Sequence, residues 1–273
     1  PGYRGYTEMT SALRAAGAVE IGHSVEHAPL LAVSFGPTTA PRSSIVIGGL
    51  HAMEWIGVET ALALVQRLSA APPTDRKVIV VAMANPDGYR RVEADLWAGK
   101  KRFRRTNLRG VDLNRNWPTG FLPRPKWLAG FNWPGTHAAS EPEVAAIVQL
   151  LDREVARGAS VDTALSLHSF GRKLLIPYGG RFRRPARYAE LYERARRVRD
   201  RLVERYSIDQ VSRWLPGAFV YGMEIDDLHE RYGACALLVE CAFGGGLTLE
   251  LDRWTTPFHY YNPRRPSLIA GDL

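Results

Sequence analysis

Apolar runs and helix-patterned stretches alternate along the chain. Four short apolar runs bounded by turn residues are typical of buried strands, and they cover residues 43–50, 77–84, 163–167 and 235–243. Three stretches carry apolar residues at helical spacing: residues 54–69, 141–156 and the strongly charged 188–206. Because strands that alternate with helices form α/β domains, we expect a sheet with helices packed against it.

One helix start and two irregular segments complete this pattern. The sequence Ser140-Glu141-Pro142-Glu143 has serine at an N-cap position and glutamate three residues later, which predicts a capping box. Residues 118–136 are rich in proline, glycine and tryptophan and have no clear period, so we expect an ordered surface loop. The segment from Asp252 onward is also irregular and predicts no particular element.

The composition suits one large domain. With 273 residues and a hydrophobic content of 45%, the chain can bury a full core, and we expect a single domain over residues 1–273. No apolar stretch reaches the roughly 18 to 20 residues of a membrane-spanning helix, so we expect a soluble protein without a membrane partner. Cys235 and Cys241 lie in one predicted strand, too far apart to bridge, and are expected to be buried apolar side chains.

The formal net charge of +8 comes from arginine-rich stretches at residues 100–109 and 172–205. Such an excess can attract nucleic acid or an anionic surface. However, the sequence has no nucleic-acid motif, and we therefore expect a solvated basic face and no nucleic-acid partner. We also expect a monomer. The first residues lack the pattern of a secretory signal and there is no disulfide framework, which leaves the cytoplasm and export after processing both open.

Two histidines and a glutamate have the setting of metal ligands. His51 and Glu54 stand three residues apart where a predicted strand leads into a helix, so both can reach one ion. This spacing is common, and a third ligand is needed. His168 closes another predicted strand, at the end of the sheet where α/β proteins build their sites. Two nitrogens and one carboxylate leave a fourth position for water, which is typical of a catalytic zinc ion.

Glu240 stands in an otherwise apolar run, residues 236–243. A carboxylate is costly to bury in such a strand unless it has a partner or a task. Its position therefore favours a functional role.

Several motifs in a fixed order resemble one family. They are His51-x-x-Glu54, Asn85-Pro86-Asp87-Gly88, the run Arg105-Thr106-Asn107-Leu108-Arg109-Gly110-Val111-Asp112-Leu113-Asn114-Arg115-Asn116, the later His168 and the late Glu240. In this order they resemble the zinc metallocarboxypeptidases of the carboxypeptidase A/B type, and also the bacterial murein peptide amidase-like branch of that family. The resemblance covers residues from about 43 to 245 and implies an α/β fold: an open mixed sheet of about eight strands, with helices on both faces and one zinc ion at the strand ends.

The resemblance also implies a role for each matching residue. His51, Glu54 and His168 match the zinc ligands, and Glu240 matches the general base. Asp112 matches the acid that orients the first histidine.

Four further residues match groups that contact the substrate. Arg105 matches the arginine that polarises the scissile carbonyl, with Arg104 as the alternative under a different gap. Asn114 and Arg115 match the pair that binds the terminal carboxylate, and Tyr221 matches a mobile tyrosine.

The implied activity is hydrolysis of the C-terminal bond of a peptide with a free terminal carboxylate, by a zinc-activated water. Other functions remain open: an amidase acting on cell-wall muropeptides, an acylase acting on N-acyl amino acids, and a non-catalytic zinc- or peptide-binding module. Two departures from the family pattern are visible. Met53 stands where a substrate-contacting arginine often occurs. We also expect no propeptide-like domain before the peptidase segment.

The resemblance places the specificity pocket at residues 222–227. Counting back from Glu240 puts Ile225 at the selective position, and an apolar side chain there favours aliphatic or aromatic C-terminal residues. If the count is shifted by one residue, Glu224 or Asp226 occupies the selective position instead. A carboxylate at that position would favour lysine or arginine as the C-terminal residue. A cell-wall peptide ending in diaminopimelate is the third possibility.

Overall fold

A computed structural model describes residues 2–214, 219–243 and 255–267 of the chain. Within them, eight strands form one sheet in the order β1-β2-β4-β3-β5-β8-β6-β7. Their bounds are β1 Val19–His23, β2 Pro29–Phe35, β3 Arg42–Gly48, β4 Lys77–Val81, β5 Ser160–His168, β6 Lys173–Ile176, β7 Ser207–Gln210 and β8 Cys235–Glu240. The four central strands β4, β3, β5 and β8 are parallel to one another, whereas β2 and β6 run antiparallel to their central neighbours. The predicted mixed sheet of about eight strands is confirmed.

The helices of the described residues lie on both faces of the sheet. They are α1 Tyr6–Ala15, α2 Trp55–Ala70, α3 Pro86–Trp97, α4 Lys126–Ala129, α5 Pro142–Ala156, α6 Tyr188–Arg199, α7 Val211–Trp214, α8 Glu224–Tyr232 and α9 Pro257–Tyr261. Helices α1, α2 and α6 contribute to the core on one face, and α5 and α8 to the core on the other. This arrangement agrees with the expectation of helices on both faces.

The strands are apolar on both sides because both faces are covered. In β3, Val46 belongs to the core beneath α2, while Ile45 and Ile47 belong to the core beneath α5 and α8. Strands buried on both faces form continuous apolar runs, which is why the sequence marks the central strands so clearly. Cys235 and Cys241 are buried, unpaired thiols, as predicted.

Three local predictions differ from the structure. The third predicted helix ends at Arg199, because the chain beyond it turns to place β7 beside β6. The expected loop at residues 118–136 contains the short helix α4 and a 3-10 turn at Gly130–Asn132.

The prediction of a capping box at Ser140 and Glu143 is wrong. Glu141, not Ser140, is the N-cap of α5, and no side chain caps this helix. The Ser140 hydroxyl instead donates to Glu141 (2.8 Å), and the Asn107 amide contacts the Glu143 carboxylate.

The part of the irregular C-terminal segment that precedes Thr255 lies outside the described residues. Among the helices that are described, none is both long and apolar enough to cross a lipid bilayer.

Helix α2 approaches the sheet closely at Gly57. A Cβ atom at this position would lie 2.7 Å from the carbonyl oxygen of Leu167 in β5, which is closer than such atoms come. We therefore expect Gly57→Val to lower the free energy of unfolding by about 2–3 kcal/mol, because the helix must move away from the strand. Urea unfolding followed by circular dichroism measures this change.

The matched control is Gln66→Val on the exposed side of the same helix, which should change the free energy of unfolding by no more than about 0.5 kcal/mol. Equal effects of the two valines would contradict the close contact at Gly57.

Candidate metal centre and its surroundings

Three buried side chains converge at the ends of the parallel strands. His51 follows β3, Glu54 immediately precedes α2, and His168 is the last residue of β5. One possible ligand atom from each residue lies within 4.8 Å of the other two. The sheet therefore brings together the three residues that the sequence predicts as metal ligands.

Each histidine turns its Nδ1 atom toward the Glu54 carboxylate. His51 Nδ1 lies 2.8 Å from Glu54 Oε1, His168 Nδ1 lies 2.9 Å from Glu54 Oε2, and the two Nδ1 atoms are 3.1 Å apart. Two imidazole nitrogens and a carboxylate oxygen are a donor set that zinc accepts. The residues present thus fit a single zinc ion.

The outer nitrogen of each histidine contacts a second carboxylate. His51 Nε2 lies 3.1 Å from Asp112 Oδ1, and His168 Nε2 lies 3.1 Å from Glu224 Oε1. Burial opposes the charged form of His168, but its hydrogen bonds to Glu224 and Glu54 outweigh burial and raise its pKa to about 10. Such carboxylates fix the orientation and tautomer of metal-binding histidines.

Glu54 and Glu240 have opposite shifts in pKa. Burial opposes the ionisation of Glu54, yet the neighbouring histidines outweigh it and hold its pKa well below the usual range. At Glu240 the balance is reversed: burial and the negative charge of Glu54 outweigh the opposing effects of His168 and Arg105 and raise its pKa to about 8. One carboxylate is therefore suited to bind a cation and the other to exchange a proton near neutral pH.

Glu240 stands directly beside His168. It ends β8, and the two residues are paired in the parallel register of β5 and β8. The Glu240 Oε2 atom is buried without a hydrogen-bond partner in the described part of the chain. This carboxylate is available to a substrate or to a water molecule in the site.

The loop that contains Arg105 lies beside the metal centre. The backbone carbonyl of Arg105 accepts a hydrogen bond from the amide of Ala52 (3.0 Å), which ties this loop to the turn that bears His51. The Arg105 guanidinium donates from Nε to Asp112 Oδ2 (2.8 Å) and lies 3.8 Å from Glu54. The side chain of Arg104 turns away to pair with Asp95 at 2.7 Å. The geometry therefore favours Arg105 over Arg104 as the arginine of the site.

Asp112 holds several of these groups together. It is fully buried, and although burial opposes its charge, Arg105 and Arg115 hold its pKa well below the usual range. It also accepts a hydrogen bond from the amide of Asn114 (2.9 Å), which begins the 3-10 turn Leu113–Arg115. One carboxylate thus positions His51, Arg105 and the turn that carries the predicted carboxylate-binding pair.

The loop before α8 packs tightly on this turn. Gly222 has a φ angle of +66°, and a Cβ atom there would lie only 2.3 Å from the carbonyl oxygen of Arg115. The amide of Trp117 donates to the Gly222 carbonyl (3.1 Å). Only glycine allows this approach, which places the start of α8 next to Asn114 and Arg115.

A cavity of about 280 Å³ opens onto the metal centre. Arg105, Asn114, Arg115 and Glu240 line it together with the three predicted ligands. Among the described residues, the remaining wall is mainly apolar and consists of Phe170, Leu175, Val211, Trp214, Val220, Met223, Leu238 and Tyr261, with Ser169. A larger hollow of about 460 Å³, at Glu26, Asp87, Arg90, Arg91 and Leu108, contains none of the predicted ligands.

The residues of this segment that line the cavity differ from those that the sequence suggested. Ile225 is completely buried in the core and does not line the cavity, whereas Met223 does. Asp226 does not line it either, because its carboxylate accepts hydrogen bonds from the amides of Gly179 and Gly180. The count back from Glu240 thus leads to a core residue, and Met223, two positions earlier, lines the cavity.

Tyr221 lies outside the cavity lining, with its ring centroid 6.4 Å from that of Phe219 and 6.0 Å from the guanidinium carbon of Arg124. Its role as the mobile tyrosine stays a prediction. Tyr261 and Phe170 do line the cavity, with ring centroids 5.2 Å apart. The sequence offered no signal for Tyr261, because the segment around it has no apolar period.

Comparison with known proteins agrees with this geometry. The family model described as zinc carboxypeptidase matches residues 12–234. The chain belongs to the zinc carboxypeptidase family.

The chain is similar in sequence to carboxypeptidases from animals. Human carboxypeptidase A5 is 27% identical over 244 residues, which cover 84% of this chain and 52% of that protein. The chain therefore spans about half the length of the curated relatives that it matches.

Solved structures share the fold. Carboxypeptidase A from Helicoverpa armigera superposes with a TM-score of 0.80 at 20% identity, over 99% of this chain and 70% of that one. The murein-tripeptide amidase from Escherichia coli O157 superposes with a TM-score of 0.55 at 20% identity, over 91% of this chain and 93% of that one. Both similarities concern the fold, which members with different substrates have in common.

Proposed function

We propose that this chain is a zinc-dependent metallocarboxypeptidase that hydrolyses the C-terminal peptide bond of peptides. One observation carries the proposal: a single cavity contains the His51, Glu54 and His168 cluster, the carboxylate of Glu240, whose Oε2 atom has no hydrogen-bond partner among the described residues, and the cationic side chain of Arg115. These are the parts that hydrolysis needs, and all of them come from one chain. Because one chain supplies the whole site, we also propose that the enzyme acts as a monomer. We propose no nucleic-acid or membrane partner for it.

His51, Glu54 and His168 would hold the zinc ion, which when bound supplies a Lewis acid and lowers the pKa of water. Glu240 accepts a proton from the attacking water, whose oxygen forms the new bond to the carbonyl carbon. Glu240 then gives that proton to the leaving amine as the C–N bond breaks. A carboxylate with a raised pKa suits both transfers, because it can gain and lose a proton near neutral pH.

Two arginines orient the substrate, one at the scissile carbonyl and the other at the terminal carboxylate. Arg105 donates hydrogen bonds to the carbonyl oxygen as negative charge develops on it. Arg115 and Asn114 bind the terminal carboxylate, since a guanidinium matches its planar geometry. This anchoring restricts cleavage to the last bond of the peptide.

The apolar wall of the cavity favours an apolar C-terminal side chain. Among the described residues, the carboxylates that line the cavity are those of Glu54 and Glu240, which have other proposed tasks. Asp226 is held by backbone amides and Glu224 by His168, so neither is placed to pair with a lysine or arginine side chain. We propose aliphatic and aromatic C-terminal residues as the preferred substrates, because their desolvation favours binding there.

The metal ligands can be tested without an activity assay. We expect the purified protein to contain about one zinc ion per chain, and His51→Ala and His168→Ala to lose it, because each removes one of three protein ligands. Zinc is measured by mass spectrometry after dialysis against buffer free of metal. His23→Ala, an exposed histidine that pairs with Glu20, is the matched control and should retain zinc. Full zinc content in both ligand variants would contradict the assignment.

Glu240→Gln separates catalysis from metal binding. The amide cannot accept the proton of water, so we expect kcat to fall by about 10²–10⁴-fold while zinc content and KM change little. Glu190→Gln, at an exposed carboxylate on α6, provides the control and should keep the wild-type kcat. A kcat in Glu240→Gln close to that of wild type would remove Glu240 from the mechanism.

Substrate preference is measured with peptides that differ only in the last residue. We expect kcat/KM for phenylalanine or leucine ends to exceed that for lysine or arginine ends at least tenfold, which corresponds to about 1.4 kcal/mol in transition-state binding. Met223→Ala should reduce the advantage of phenylalanine, because it removes part of the cavity wall. Ile225→Val, in the core beside it, should leave the ratio unchanged.

A murein tripeptide assayed at the same enzyme concentration distinguishes the amidase alternative. Cleavage of the murein peptide alone would replace the carboxypeptidase proposal with an amidase. Faster cleavage of lysine or arginine ends would instead show that the apolar wall does not select the terminal residue.

A further inference from the structure

Glu224 is a completely buried carboxylate at the start of α8. Its Oε1 atom lies 3.1 Å from His168 Nε2, and its Oε2 atom has no hydrogen-bond partner in the described part of the chain. Among the described residues, His168 forms an ion pair with it and no lysine or arginine does. A buried carboxylate with so few partners is costly unless it performs a task.

The position of Glu224 in the helix offsets only part of this cost. It occupies the first turn of α8, where the helix dipole favours negative charge. Asp226 and Asp227 already supply that turn with carboxylates, and both are bound by backbone amides: Asp226 by Gly179 and Gly180, Asp227 by Thr119. Helix stabilisation therefore does not account for a third acid pointing at a histidine.

The surroundings of His168 show what Glu224 can do. The inner atom Nδ1 faces Glu54, so the proton of a metal-binding His168 belongs on the outer atom Nε2. Three groups surround Nε2: the Ser166 hydroxyl at 3.0 Å, the Asn114 amide nitrogen at 3.5 Å and Glu224. The amide nitrogen is a donor and the hydroxyl is neutral, which leaves Glu224 as the charged acceptor.

The two histidines are thus arranged alike. Asp112 contacts His51 Nε2 at 3.1 Å, and Glu224 contacts His168 Nε2 at the same distance from the other side of the site. Asp112 is one of the motif residues, whereas Glu224 lies in the stretch where the sequence suggested specificity residues. Glu224 does not line the cavity.

We propose that Glu224 is a positioning residue for His168: it accepts the Nε2 proton, fixes the tautomer that presents Nδ1 to the metal, and takes no part in choosing the substrate. This role rests on the proposed zinc centre. Glu224 also links the metal centre to the start of α8. Its backbone amide donates a hydrogen bond to the side chain of Asn114 (3.2 Å), and Asn114 lines the cavity.

The test is the zinc dissociation constant of the metal-free protein, measured by competition with a chelator. Glu224→Met removes the acceptor at similar volume and should weaken zinc binding by about 10–100-fold. Glu224→Gln keeps a neutral acceptor and should lie between Glu224→Met and wild type. Glu143→Gln is the matched control, because Glu143 is also completely buried but contacts none of the predicted ligands, and its zinc affinity should equal that of wild type.

Two further measurements separate positioning from general structural damage. In zinc-loaded protein labelled with ¹⁵N-histidine, the His168 Nε2 proton should resonate further upfield in Glu224→Gln than in wild type, since an amide accepts a hydrogen bond more weakly than a carboxylate. The ratio of kcat/KM for phenylalanine and lysine ends should stay the same in Glu224→Gln.

Unchanged zinc affinity in Glu224→Gln, together with an unchanged His168 proton resonance, would overturn the proposal even if Glu224→Met fails to fold. A tenfold change in the substrate ratio would assign Glu224 to specificity instead. Failure of the wild-type protein to bind zinc would overturn the proposed function, and this role with it.

Discussion

The site exists because three parallel strands end at the same edge of the sheet. His51 follows β3, His168 closes β5 and Glu240 closes β8, and these strands are neighbours in the order β3-β5-β8. Residues far apart in sequence therefore meet without any long side chain having to reach across the molecule. Because the strands are packed by helices on both faces, their ends are held in place by the whole core.

Burial of charge is the second constraint on this site. Glu54, Asp112 and Glu224 are all buried, and each contacts at least one histidine or arginine. Glu240 differs because burial and the negative charge of Glu54 outweigh the opposing effects of His168 and Arg105, so its pKa is raised while that of Glu54 is lowered. Two carboxylates a short distance apart are thus suited to different tasks by their surroundings rather than by their chemical identity.

Much of the fold and site could be predicted from the sequence, for physical reasons that particular residues illustrate. The central strands are continuous apolar runs because they are buried on both faces. His51 and Glu54 are close because a turn joins them, in which the Glu54 amide donates to the His51 carbonyl (3.2 Å). The motif order then identified Arg105, Asn114 and Arg115 as members of the site, and the structure places all three at the cavity. Their catalytic and binding roles remain predictions.

Contacts that depend on packing between distant segments could not be predicted. Tyr261 reaches the cavity from a C-terminal helix without apolar periodicity. In the expected capping box, Ser140 and Glu143 do not bond to each other's backbone. The Asn116 amide donates to the Ser140 hydroxyl, and the Asn107 amide donates to the Glu143 carboxylate. Local sequence rules describe what a side chain can do within its own helix, and tertiary contacts decide whether it does so.

The first turn of α8 shows why a slip of one residue matters so much in sequence comparison. Successive residues of a helix point about 100° apart, so neighbours in the chain face different parts of the protein. Glu224 faces His168, Ile225 faces the core, and Asp226 faces the amides of Gly179 and Gly180. Of residues 222–227, all of which the structure describes, only Met223 lines the cavity. A count along the chain cannot choose among these directions, because the choice depends on how Gly222 packs against Arg115 before the helix starts.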